Sequence, residues 1–194
     1  MGIFNLDKME QVLIMPQQFG GYTAYSITKI LNSTFAVGTS DGVYIMDIAN
    51  KDNNPTIMMQ GKRVLSVKLI KNGNIICGSG DGYYMVNIEK KEEKLLTGDR
   101  QPVLNICLLS SIDAKYNDLA LTLEKDSVNI LNMSTGSIVK IQDVTTTGFS
   151  SDSMMQLMRN SNEDNFSFVF ISGKDNDEIC KLTVRKELAD LCLL

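Results

Sequence analysis

The sequence predicts an all-β chain of the β-propeller type: about four four-stranded blades, preceded by an N-terminal half blade. Three observations predict it. Residues 25–48 align without a gap on residues 65–88, at an offset of 40. Each copy carries an Asp-Gly hairpin at the same place. Apolar residues follow strand patterns, with turn residues about every 8–12 positions, which excludes helical repeats.

The alignment sets YSITKILNSTFAVGTSDGVYIMDI above LSVKLIKNGNIICGSGDGYYMVNI, with 8 of 24 positions identical. The identities are Ser26/Ser66, Ile30/Ile70, Asn32/Asn72, Gly38/Gly78, Asp41/Asp81, Gly42/Gly82, Tyr44/Tyr84 and Ile48/Ile88. Within the first unit, residues 26–31 read as a strand ending at Asn32-Ser33, and residues 35–39 form a short apolar run of the kind buried on both faces. Ser40-Asp41-Gly42 reads as a hairpin, because Asp-Gly suits the positive φ angles of a type I′ turn. Residues 43–48 are rich in β-branched and aromatic side chains. A polar loop at 51–55 then leads to a fourth strand at 56–60. The second unit repeats this order around Gly80-Asp81-Gly82.

Weaker copies follow. Residues 103–109, 119–123, 128–133 and 137–141 supply four strands, with a turn at Lys125-Asp126-Ser127. Residues 154–158, 166–172 and 179–184 supply three more, with an acidic turn at 174–178. Residues 186–194 alone have a helical option. At the N-terminus, 2–7 and 9–15 resemble the last two strands of an earlier unit. The blades are therefore expected near 22–60, 61–100, 101–145 and 146–194 of a single propeller segment, 1–194, with 1–15 closing a preceding blade.

The stretch from Ala36 to Ile48 resembles the core of a WD-repeat blade. Asp41 and Asp81 fall on that family's hairpin Asp, Thr39 and Ser79 on its Ser/Thr position, and Met46-Asp47 and Val86-Asn87 on its Trp-Asp pair. The chain has no Trp and no His, so the family's His–Asp–Ser–Trp hydrogen-bond network cannot form, and the resemblance is to a divergent WD-like propeller. The run from Val37 to Tyr44 is also similar to blades of citron-homology domains and bacterial sensor propellers.

Composition narrows the function classes. A net charge of −4 repels nucleic acid and anionic lipid, so neither is an expected partner. Four cysteines without a C-x-x-C pair, and no histidine, argue against a Cys/His zinc site and rule out Ser-His-Asp or Cys-His catalysis. No apolar run approaches the roughly 18 residues that span a bilayer, and Asp7 and Glu10 interrupt any N-terminal signal core. A cytoplasmic, reducing setting is expected, the cytoskeleton included. Gly78-Ser79-Gly80-Asp81-Gly82 is followed by a strand, whereas a phosphate-binding loop needs a helix N-terminus. Asp175-Asn176-Asp177-Glu178 lacks EF-hand spacing. No catalytic, metal or cofactor-binding residue is therefore assigned, and no cofactor is expected. Asp41, Gly42, Asp81, Gly82 and Asp126 recur at turns, so their expected role is structural.

The expected function is a non-catalytic protein–protein interaction scaffold, part of a larger propeller or a multiprotein assembly. The alternative is a ligand-sensing or cofactor-dependent enzymatic propeller. Charged connections between blades offer Lys62, Arg63, Asp99 and Arg100 as candidate protein contacts. Seven blades at this period would need roughly 300 residues, so missing blades, another chain or a second copy are expected to complete the propeller. Four-bladed closure would require 9–15 to serve as the outer strand of the last unit. An open arc would expose apolar end faces, whose covering is worth on the order of 10 kcal/mol. Far-ultraviolet circular dichroism should show mostly strand; helix above about a quarter of the chain would contradict the propeller reading.

Overall fold

A computed structural model describes residues 2–5, 10–14, 22–50, 54–98, 101–111, 113–125, 127–143, 155–158, 165–172 and 178–193. Strands β1 (Gly2–Asn5) and β2 (Glu10–Ile14) pair as an antiparallel hairpin. Three four-stranded meanders follow. The first is β3 (Ala24–Leu31), β4 (Thr34–Thr39), β5 (Gly42–Asp47) and β6 (Thr56–Met58). The second is β7 (Val64–Leu69), β8 (Ile75–Ser79), β9 (Tyr83–Asn87) and β10 (Glu92–Thr97). The third is β11 (Val103–Leu108), β12 (Leu119–Glu124), β13 (Ser127–Asn132) and β14 (Ile138–Asp143), with two 3-10 turns, Leu109–Ser111 and Ala114–Tyr116, between β11 and β12. The fourth sheet has three strands among the described residues, β15 (Met155–Met158), β16 (Asn165–Ser172) and β17 (Glu178–Arg185). The chain then enters a short helix, α1 (Lys186–Leu191).

Each sheet is an up-and-down antiparallel meander, and the first strands of successive sheets lie against one another: β3 on β7, β7 on β11, β11 on β15. This is the all-β propeller-type arrangement. The first strand of each four-stranded sheet carries an irregularity at the same point, between Ala24 and Ser26, Val64 and Ser66, and Val103 and Asn105. A bulge leaves one residue outside the alternation. The residues set aside, Tyr25, Leu65 and Leu104, all join one apolar cluster.

Alternation decides which sheet each side chain meets. On β4, Ala36 packs toward the second sheet, with Val67, Cys77 and Val86, whereas Val37 packs with Tyr44 and Met46 in a separate cluster. On β8, Ile75 and Cys77 share the cluster of the first sheet, and Ile76 shares that of Ile106, Ala120 and Leu131 on the third. Short runs such as Ile75–Ser79 are thus buried on both faces, which is why they read as continuous rather than alternating apolar sequence. Between the third and fourth sheets, Leu121 and Ile130 meet Phe168 and Val184.

Several details differ from the sequence expectation. The hairpins are not Asp-Gly type I′ turns. Thr39 pairs with Gly42 in the ladder, so Ser40 and Asp41 make the turn and Gly42 follows it. Gly42 and Gly82 do have positive φ, +126° and +150°. A side chain at Gly42 would meet the carbonyl oxygen of Met58 at 2.6 Å, and one at Gly82 would collide with that of Thr97. These glycines thus let the fourth strand's end close over the hairpin. The first sheet's fourth strand stops at Met58, because Met59 turns away with φ +54°. β2 pairs with β1 rather than serving as the outer strand of the last unit. On β17, Lys181, Thr183 and Arg185 are exposed. Asp126, Asp99 and Arg100 lie outside the described residues.

A methyl group at Gly78 would meet Val103 Cγ1 at 2.5 Å and its carbonyl oxygen at 3.0 Å. Gly78→Ala should therefore destabilise by about 1–3 kcal/mol, the usual cost of overpacking. Gly73→Ala, with φ +82° but open space around it, should cost only the backbone term of about 1 kcal/mol. Urea unfolding of the two variants would check the difference.

Candidate functional site

The blade ends bear the connections, and the two ends differ in chemistry. At one end lie the hairpins between second and third strands and the links from one sheet to the next. Here the 40-residue repeat reappears as a repeated hydrogen-bond pattern. Ser40 N–H donates to Thr23 O at 2.9 Å, and Gly80 N–H to Arg63 O at 3.0 Å. In the second sheet Asp81 gathers three donors. The Ser79 hydroxyl reaches Oδ1 at 2.8 Å, while Lys62 Nζ and the Tyr84 hydroxyl reach Oδ2 at 3.0 and 2.9 Å. The Lys62 ammonium also lies 4.7 Å from the centre of the Tyr84 ring, close enough for a cation–π contact. In the first sheet the equivalent positions hold Tyr22, Thr39, Asp41 and Tyr44. Asp41 N–H donates to Thr39 Oγ1 at 3.1 Å, and Gly61 N–H donates to Asp41 Oδ1 at 3.1 Å. The Tyr22 and Tyr44 rings are 6.3 Å apart.

Electrostatics follow from these contacts. Burial alone would raise the Asp81 carboxyl, but the hydrogen bonds from Ser79, Lys62 and Tyr84 outweigh it and hold the group below its usual range. The hydrogen bonds to Tyr84 and Asp81 push Lys62 upward. Hydrogen bonding to Asp41, then its charge, raises the Tyr22 phenol. Of the candidate contacts read from the sequence, Lys62 is engaged in this network, and Arg63 lies 5.0 Å from the centre of the Tyr25 ring. The structure thus gives each of them an internal partner. Sequence reasoning missed the role of Tyr84 and Tyr44. The signal was present, since Tyr44/Tyr84 is one of the identities of the repeat.

The opposite end carries a largely aliphatic pocket. The last residues of the first strands, together with the turns beside them, line an open groove of about 590 Å³ shared by three sheets, with Ile30, Leu31, Leu69, Ile70, Ile88 and Leu108 along it. Lys71 and Glu89 supply charge to its lining. Leu31 is 66% exposed. The volume lies in the range of ligand-binding clefts, about 300–1,000 Å³.

A third polar group lies inside the stack. The Tyr83 hydroxyl is 2.7 Å from both Thr122 Oγ1 and Glu124 Oε1, and Ser127 Oγ is 3.4 Å from Glu124 Oε2. It joins the second sheet to the third, with Glu124 at the register place that Ser79 holds in the second sheet. Among the described residues no group of three or more Cys, Asp or Glu side chains is arranged to hold a metal ion. No helix there is long and apolar enough to cross a membrane.

Asp81 offers a pH test. A carboxyl held below its unfolded value stabilises the fold above that value, near 3.9, and the contribution disappears as pH falls through the folded value. Stability should therefore decline below about pH 4, and Asp81→Asn should flatten that limb. Because the Asp81 and Lys62 side chains are 55% and 33% exposed, the loss at neutral pH should stay within about 1 kcal/mol. Urea midpoints across pH would measure both.

No protein-family model matches the chain. No curated protein sequence matches it either. Solved structures do. The extracellular domain of BT3049, assigned to a hybrid two component system of B. thetaiotaomicron, matches at TM-score 0.59 and 14% identity, over 91% of this chain and 23% of that one. A protein of unknown function from Bacteroides caccae matches at 0.55 and 15%, over 96% and 69%. The β-propeller domain of Cps50 (Swd1) from Myceliophteria thermophila matches at 0.52 and 11%, over 85% and 60%. The chain spans between 21% and 50% of the length of the first three solved structures it matches. At such identities the likeness concerns the fold alone, and together with the stacked meanders it shows a propeller-type all-β chain.

Proposed function

We propose that this chain is a non-catalytic protein-interaction module of divergent WD-like type, working as part of a larger propeller or a multiprotein assembly in a reducing, cytoplasmic setting. The observation that carries the reading is the groove at the blade end opposite the Asp81 hairpin. Three sheets contribute to it, its lining is dominated by aliphatic side chains, and Leu31 stands 66% exposed there. Such a surface suits a partner segment bearing aliphatic side chains, and it rests on a rigid scaffold, where binding residues tend to lie. The WD-like assignment is supported by the hairpin Asp81 and the Ser79 before it: the Ser79 hydroxyl donates to Asp81, whose carboxylate also accepts from Lys62 and Tyr84, where the WD family has histidine and tryptophan.

Selection from a displayed peptide library should enrich segments with spaced aliphatic residues. Leu31→Lys should weaken the enriched peptides about tenfold or more, the scale of one lost buried leucine contact. Lys94→Gln, at an exposed position on β10, should leave them unchanged. Peptides that bind Leu31→Lys as tightly as the parent chain would remove the groove from the proposal.

A further inference from the structure

The outer edge of β17 differs from its counterparts. In the first three sheets the third strand is covered by an antiparallel fourth: β6 on β5, β10 on β9 and β14 on β13. No described strand pairs with the outer edge of β17. After Arg185 the chain leaves the sheet and enters α1. That helix is tethered over the third sheet. Lys115 Nζ and the Tyr116 hydroxyl donate to Asp190 Oδ1 at 3.0 and 2.9 Å, and Asn132 Nδ2 donates to Cys192 O at 2.9 Å. β17 is eight residues long, against five or six for the third strands of the other sheets. An edge of that length presents a row of backbone donors and acceptors suited to another strand.

Side-chain chemistry says which strand fits. Leu182 and Val184 pack into the core between the third and fourth sheets. Lys181, Thr183 and Arg185, on the opposite face by alternation, are exposed. A strand laid beside β17 would place apolar residues next to Leu182 and Val184, and its intervening residues next to Lys181 and Arg185. Opposite charges across a strand pair stabilise it and like charges oppose it. We propose that the outer edge of β17 binds an extended, acidic segment of a partner protein, added antiparallel as the fourth strand of this sheet. The segment alternates aliphatic with carboxylate residues. It gains affinity from main-chain hydrogen bonds and selectivity from the two basic side chains. The site is separate from the groove, and either can fail without the other.

A labelled heptapeptide of alternating valine and glutamate is the probe, measured by fluorescence anisotropy against the full chain at low salt. Its comparators are the valine–lysine analogue and a valine–glutamate copy N-methylated at alternate amides. The glutamate peptide should bind roughly tenfold tighter than the lysine analogue, and N-methylation on the pairing edge should abolish binding. Lys181→Glu combined with Arg185→Glu should reverse the preference, with circular dichroism confirming the fold. Should that variant unfold, the ratio between the two peptides on the unaltered chain still decides. Equal affinity for the glutamate and lysine peptides, or undiminished binding of the N-methylated copy, would overturn the proposal. So would self-association seen by light scattering and removed by the same double substitution, which would assign the edge to a second copy.

Discussion

A methyl group added to Gly38 would lie 2.8 Å from the carbonyl oxygen of Val64, and one added to Gly78 would press on Val103. Both glycines sit in second strands, where the first strand of the next sheet crosses. Van der Waals contact between carbon and oxygen needs more room than that, so the stacking distance between these sheets exists only because two residues lack a Cβ. The bulges at Tyr25, Leu65 and Leu104 belong to the same arrangement. They leave Ser26 and Ser66 opposite Gly38 and Gly78, and Ser66 Oγ then accepts the N–H of Ile106 from the third sheet at 3.2 Å. Close approach, bulge and inter-sheet hydrogen bond together set how one blade meets the next.

The third sheet meets its successor differently. Leu123 and Glu124 stand where the earlier sheets have Gly78 and Ser79. Leu123 is fully buried in the cluster shared with the fourth sheet, and Glu124 is 2% exposed. A buried carboxylate is tolerable when donors surround it, and here the Tyr83 hydroxyl from the second sheet supplies one. The bond crosses between two sheets that also share an apolar cluster and the Ser66–Ile106 hydrogen bond. Satisfied networks of this kind fix relative placement more sharply than apolar packing does. The fading of the repeat after residue 100 thus accompanies a change in the contacts between sheets.

At the hairpin end the turns are held without histidine or tryptophan, which the sequence lacks. The link before each first strand must be held against the hairpin of the same sheet. Lys62 and Tyr84 do this around Asp81, and in the first sheet the Tyr22 ring lies beside that of Tyr44. A carboxylate from the neighbouring sheet adds a further tie, as the Met59 N–H donates to Glu93. The apolar groove and the β17 edge carry the functional proposals.

The sequence by itself determined the meander. Identities such as Asp41/Asp81 and Gly42/Gly82, and apolar runs such as Ile75–Ser79, are local signals, because turn chemistry and strand burial act within a few residues of the chain. It also marked Asp41 and Asp81 as structural. Tertiary structure decided the rest. Tyr84 reads as one more β-former until Lys62, 22 positions earlier, is folded beside it. Gly42 reads as a turn residue until the carbonyl of Met58 closes over it. Lys62 and Arg63 read as candidate partner contacts until the rings of Tyr84 and Tyr25 lie within 5.0 Å of them. The groove draws on residues from Ile30 to Asn117, and no local pattern records which strand ends will converge. Contacts between sheets depend on the stacking distance, and only the packed chain fixes it.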